Sequence, residues 1–162
     1  MHVYFSLGSN VDDGTAQIRR ALELLGRRGC RVLRVSSFYR TEPVPPAPDQ
    51  PWFTNCVAEA KTELSPRALL RTAKAIEGTM GRRRTAPGGP RPIDIDILFY
   101  EDETVYLPRL EIPHPRLSER RFVLIPLKEL APKLRHPVSK KTVSQMLRET
   151  ADRSRVRRIR QR

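Results

Sequence analysis

The chain has 162 residues, 38% hydrophobic and 30% charged, which suits one globular domain with a real core. No apolar run approaches the ~20 residues needed to span a membrane, and no N-terminal targeting segment is evident, so a cytoplasmic protein is expected. The formal charge of +13 raises the possibility of a nucleic-acid partner, but six arginines against Asp152 in residues 151–162 supply +5 of it. That segment reads as a solvated basic tail behind a single domain of residues 1–150. No aromatic-interleaved basic stripe or recognition motif accompanies it, so nucleic acid is not the expected partner. Cys30 and Cys56 lack metal-ligand spacing and read as buried thiols.

In chain order, His2 to Leu7 reads as a strand ending in Gly8-Ser9-Asn10, where Gly8 suits a close backbone turn. A core-facing helix follows with Ile18, Ala21, Leu22 and Leu25 at helical spacing, stopped by Gly26 or Gly29. Arg31 to Tyr39 reads as a second strand. Residues 41–51 hold five prolines, too many for regular structure, and make a long, stiff binding or lid loop. Trp52 to Thr62 is a third strand with Cys56, Ala58 and Ala60 on one face and Phe53, Asn55 and Val57 on the other. An aromatic ring and a carboxamide two apart on one face can stack on a flat heterocycle and bond its edge.

Ser65-Pro66 caps a second helix that runs to Gly81, with Leu69, Ala73, Ile76 and Met80 as its buried stripe and Lys74 and Glu77 on a neighbouring face. The loop after it carries Arg82-Arg83-Arg84 and reaches Arg91. Next comes Ile93-Asp94-Ile95-Asp96-Ile97-Leu98-Phe99-Tyr100, where strict alternation puts both aspartates on one face and Ile93, Ile95, Ile97 and Phe99 on the other. Residues two apart on a strand are about 6.6 Å apart at Cα, so the two carboxylates can share a hard divalent cation with a polyphosphate. An isolated D-x-D most often marks a half-solvated strand. Here the adjacent arginines, able to reach phosphate oxygens, give it a different meaning.

Beyond the aspartate strand, Glu101-Asp102-Glu103 is a turn, and Val105 to Ile112 suggests short strands. Pro113-His114-Pro115 presents a histidine rigidly. Arg116 to Arg121 reads as a short polar helix, Phe122 to Leu127 returns to the core, and Val143 to Arg148 forms a last helix. The order strand, helix, strand, strand, helix, strand is that of a ferredoxin-like α+β sandwich. Its mainly antiparallel sheet carries helices on one face and leaves the other free for a ligand.

The ordered pieces Leu7-Gly8-Ser9-Asn10, Ser36 to Pro43, Asp49 to Asn55, Ile76-Glu77 with Gly81-Arg82, Gly89 to Ile97, Ile112 to Pro115 and Arg120-Arg121-Phe122 resemble the 6-hydroxymethyl-7,8-dihydropterin pyrophosphokinases of folate synthesis. The resemblance covers nearly the whole chain. It implies transfer of the β,γ-diphosphate of ATP to the pterin hydroxymethyl group, leaving AMP, by a monomer acting on small molecules. Asp94 and Asp96 would hold two Mg²⁺ ions and, with Arg82 and Arg91, form the catalytic set. Lys74, Glu77, Arg82, Arg84, Arg91, Ile97, Arg109, His114 and Arg120 match ATP positions; Thr41, Pro43, Val44, Phe53, Asn55, Asp94 and Phe122 match pterin positions. Three features depart from the family pattern: Ala86-Pro87-Gly88-Gly89, Lys74 in place of a common glutamine, and Glu111 in place of a small polar residue.

Overall fold

The structure, a computed structural model, describes residues 1–11, 13–81 and 91–160. Its elements are β1 (His2–Ser9), α1 (Gly14–Arg27), β2 (Cys30–Val35), β3 (Tyr39–Thr41), β4 (Phe53–Thr62), α2 (Pro66–Thr79), β5 (Asp94–Tyr100), β6 (Val105–Leu107), β7 (Leu110–Ile112), α3 (Arg121–Leu130), α4 (Val143–Glu149) and β8 (Val156–Arg158). The main sheet has the order β5-β1-β4-β3-β8, with β2 also pairing β4, and each of its ladders is antiparallel. This is the split β-α-β arrangement expected from the sequence.

Alternation along the central strands sorts side chains into two cores. Val3, Phe5 and Leu7 of β1, Cys56, Ala58 and Ala60 of β4, and Ile95 and Ile97 of β5 pack beneath Ile18, Ala21 and Leu25 of α1 and Leu69, Ala73 and Ile76 of α2. Full burial of one such Leu or Ile stabilises the fold by about 1.5–3 kcal/mol, so this apolar layer is the main source of cohesion. Ser65 caps α2 by accepting the Ala68 N–H, with Pro66 at its first turn as the sequence indicated. The first helix runs through Gly26; Gly29, in the left-handed region at φ 97°, follows its C-cap.

The opposite face is only partly free. Val123, Leu124 and Leu127 of α3 and Val143 and Met146 of α4 cover Tyr4, Val57, Leu98 and Phe99 at one end of the sheet. The other end, where β1, β4 and β5 carry Ser6, Gly8, Asn55, Asp94 and Asp96, stays open as a cleft. The stretch Phe122–Leu127, expected only as core, is the body of α3, with Pro126 inside the helix. Residues 116–121, expected to be helical, contain only a 3-10 turn at Leu117–Glu119 before α3 begins.

Two further departures have local causes. The pairing register of β1 and β5 shifts between Tyr4 and Phe5, so Leu98 is an extra residue. As a result Phe99 joins the α3–α4 side and Tyr100 the α1–α2 side, the reverse of strict alternation. The single strand expected over 31–39 divides into β2 and β3 at residues 36–38, where the Ser36 hydroxyl accepts the Val57 N–H and Phe38 turns into the core. Residues 156–158, expected in a solvated tail, form β8 against β3.

Candidate active site

Gly8 lies within β1, opposite Asn55 on β4 and Asp94 on β5. Its role is close approach and not the expected turn: a Cβ there would sit 2.4 Å from the Asn55 Oδ1. Asn55, almost fully buried, donates from Nδ2 to the Thr41 hydroxyl at 2.7 Å, which fixes its amide edge between β3 and β4. Phe53 on the same face and Phe122 at the start of α3 stand as the aromatic walls of one cleft. Thr41, Val44, Asn55 and Asp94, which the resemblance matches to pterin positions, line it with them. Pro43 is buried beside the cleft and is not among its lining residues. Arg120, expected near the nucleotide, also lines this cleft, its guanidinium 5.5 Å from the Phe122 ring centre.

A second cleft of about 400 Å³ opens between α2, β5 and the β6–β7 hairpin. Lys74, Ile97, Arg109 and His114 line it, joined by Glu111. Arg109 is exposed at the hairpin turn, with φ 68°. Asp96 lines both clefts, so the two spaces meet at one carboxylate. A roomier cavity of about 740 Å³ near α4, lined by Val138, Lys141, Met146 and Glu149 among others, contains neither aspartate. The chemistry points to the carboxylate junction and not to the size of the void.

The surroundings tune the junction. Burial first, and the nearby Asp94 charge second, push the Asp96 carboxyl up to about 7. The His114 Nε2 lies 3.9 Å from Asp96 Oδ2, and burial pushes this imidazole down to about 4. His114 is therefore neutral near pH 7. Its Nδ1 accepts the Arg116 N–H, leaving the ring proton on Nε2, toward Asp96. The Leu98 carbonyl accepts the His114 backbone N–H and holds the Pro-His-Pro segment to β5. Burial also lowers the Arg120 guanidinium, an effect opposed by the charge of Asp96.

Glu77, expected to touch ATP, has only 3% of its side chain exposed and lines neither cleft. Its Oε2 accepts the Ile95 N–H at 2.8 Å, and its Oε1 lies 3.3 Å from Lys74 Nζ. It thus binds α2 to the residue between the two aspartates. Arg91 donates from Nη1 to Asp94 Oδ2 at 3.4 Å, putting positive charge beside the pair. Its backbone is held in turn by Asn10, which accepts the Arg91 N–H at 2.6 Å and reaches Gln50 in the proline loop at 3.2 Å. Ser6, Asn10 and Glu42 were not named as site residues by sequence, although Asn10 and Glu42 lie within the family-like stretches Leu7-Gly8-Ser9-Asn10 and Ser36 to Pro43. Arg82 and Arg84 lie outside the described residues.

Among the described residues, no cluster of three or more His, Cys, Asp or Glu forms a self-sufficient metal cage. Two carboxylates on one face fit an ion that takes the rest of its oxygen shell from phosphates and water, as Mg²⁺ does. Among the described residues, no helix is long and apolar enough to cross a membrane.

The chain is similar to the 2-amino-4-hydroxy-6-hydroxymethyldihydropteridine pyrophosphokinase of Pseudomonas aeruginosa, 45% identical over 136 residues and covering 83% of both chains. It is 46% identical over 145 residues to the folic acid synthesis protein fol1 of Schizosaccharomyces pombe, covering 89% of this chain but spanning only 20% of that protein. A crystal structure of Plasmodium falciparum HPPK-DHPS shares the fold with a TM-score of 0.75 at 17% identity, over 91% of this chain and 43% of that one. Residues 4–132 match the family description 7,8-dihydro-6-hydroxymethylpterin-pyrophosphokinase, and the chain belongs to that family.

Proposed function

We propose that this chain transfers the β,γ-diphosphate of ATP as one unit to 6-hydroxymethyl-7,8-dihydropterin, releasing AMP and the pterin diphosphate. The observation that carries this reading is the meeting of an aromatic-walled cleft and a basic cleft at Asp96. The pterin ring lies between Phe53 and Phe122, with Asn55 and Thr41 bonding its edge. The triphosphate enters past Lys74, Arg109 and His114.

In the transfer, the hydroxymethyl oxygen bonds to the β-phosphorus as the bond from that phosphorus to the bridging oxygen of AMP breaks. Asp96, the carboxylate at the junction of both clefts, takes the hydroxyl proton. Asp94 and Asp96 would together hold two Mg²⁺ ions, which neutralise the phosphate charge that otherwise repels the attacking oxygen. Arg91 and Arg82 stabilise the charge that moves onto the AMP side, and Arg84 binds the phosphate chain. Reactions of this type need positioning and charge neutralisation more than covalent help, which matches two carboxylates set among arginines. The proline loop at 43–51 covers the reactants and keeps water from competing as acceptor.

Formation of AMP from MgATP, measured with the pterin omitted and then added, tests this reading. AMP that appears only with the pterin supports it; folded protein that forms none overturns it.

A further inference from the structure

Residues 152–159 lie outside the matched family region, which ends at residue 132. None of them lines either cleft, yet they contact Thr41 and Glu42, which line the aromatic one, and Trp52 and Arg121, the chain neighbours of its walls Phe53 and Phe122. On the β3 side, β8 pairs Val156 with Thr41, whose hydroxyl holds Asn55. On the Phe122 side, Asp152 accepts the Arg121 N–H at 2.9 Å, and Arg121 Nε donates to the Ser154 carbonyl at 3.1 Å. Thus the first turn of α3, which carries Phe122, is tied to the same segment.

Arg155 grips both ends of the proline loop. Its carbonyl accepts the Glu42 N–H at 3.1 Å, its own N–H donates to Glu42 Oε1, and its Nε lies 3.3 Å from that oxygen. These bonds hold the Glu42 carboxyl below its ordinary range. The Arg155 guanidinium also sits 4.9 Å from the centre of the Trp52 ring, with Arg157 at 5.5 Å from the same ring. Trp52 immediately precedes Phe53, and Glu42 immediately precedes Pro43.

We infer that the C-terminal arm 152–159 is a positioning element for the pterin cleft, with Arg155 and Arg157 as the residues that set the proline loop against Phe53. The inference rests on the pyrophosphokinase reading above. It explains why a run of arginines with little core-forming character is built onto the sheet: its side chains stack on Trp52 and its backbone extends β3.

Trp52 is the sole tryptophan, so its emission reports the clamp directly. In the double variant Arg155→Ala/Arg157→Ala, the Trp52 emission shifts and the KM for pterin rises by about fivefold or more, while the KM for ATP stays within about twofold. Arg155→Lys/Arg157→Lys, which keeps cations over the ring, restores most of the pterin KM. Circular dichroism and a melting curve show that the double variant is folded. A folded double variant with wild-type pterin KM overturns the inference, as does a parallel rise of both KM values. Wild-type protein that forms no AMP instead overturns the reading beneath it, so the two failures are distinct.

Discussion

Asp96 is the residue on which the site turns, because it belongs to both clefts and its proton and a cation compete for the same oxygens. Asp94→Ala and Asp96→Ala should each lower turnover by about a thousandfold or more, while the melting temperature stays within a few degrees of wild type. Retention of more than a tenth of the activity would exclude the paired-carboxylate role. The raised Asp96 carboxyl also makes a prediction about stability without metal. Between its unfolded value near 4 and about 7, the folded protein holds a proton that the unfolded chain has lost. This contribution therefore favours folding in mild acid and is lost as the pH rises through 7. Asp96→Asn removes the titration, so the variant should melt higher than wild type at pH 8, and that difference should shrink at pH 5. An equal difference at both values would show that Asp96 carries no such shift.

At the scale of elements, the position of the aspartates depends on how β5 is held from behind. Glu77 does this through the Ile95 N–H. Glu77→Ala leaves that buried donor without its acceptor, at a cost of about 1–3 kcal/mol, and should raise the Mg²⁺ concentration needed for half-maximal activity. Unchanged stability would assign the Ile95 N–H another acceptor.

Much of this layer was legible in the sequence. Period-two alternation at Ile93–Ile97 and at Phe53–Val57 is a local property, and it placed Asp94 with Asp96 and Phe53 with Asn55 on shared faces. The rest depends on partners distant in sequence. The extra residue at Leu98 arises from the β1–β5 register and reverses Phe99 and Tyr100. Phe122 to Leu127, read only as core, is helical despite Pro126, held by the packing of Val123, Leu124 and Leu127. The spacing of Lys74 and Glu77 suggested a pair on one helix face; only the fold reveals that the Glu77 carboxylate is buried and bonded to β5.

At the scale of the whole molecule, the layout explains both the charge and the opening. Helices α1 and α2 pack over β1, β4 and β5 on one face of the sheet, whereas α3 and α4 close only one end of the other. The uncovered end receives the proline loop, the aspartate strand and the start of α3. The basic C-terminal segment was illegible as a strand because Arg-rich sequence lacks the apolar alternation that marks one. It acquires that structure from β3 and from Trp52. Part of the +13 charge thus falls on a C-terminal arm that pairs with β3 and stacks on Trp52.

The most direct test follows the phosphorus atoms in a single turnover of ATP labelled at the β-phosphate, with Mg²⁺ and hydroxymethyl-dihydropterin present. Transfer of the diphosphate as a unit predicts all of the label in the pterin product and unlabelled AMP in equal amount. Label recovered as ADP or as inorganic phosphate, with none on the pterin, would contradict it.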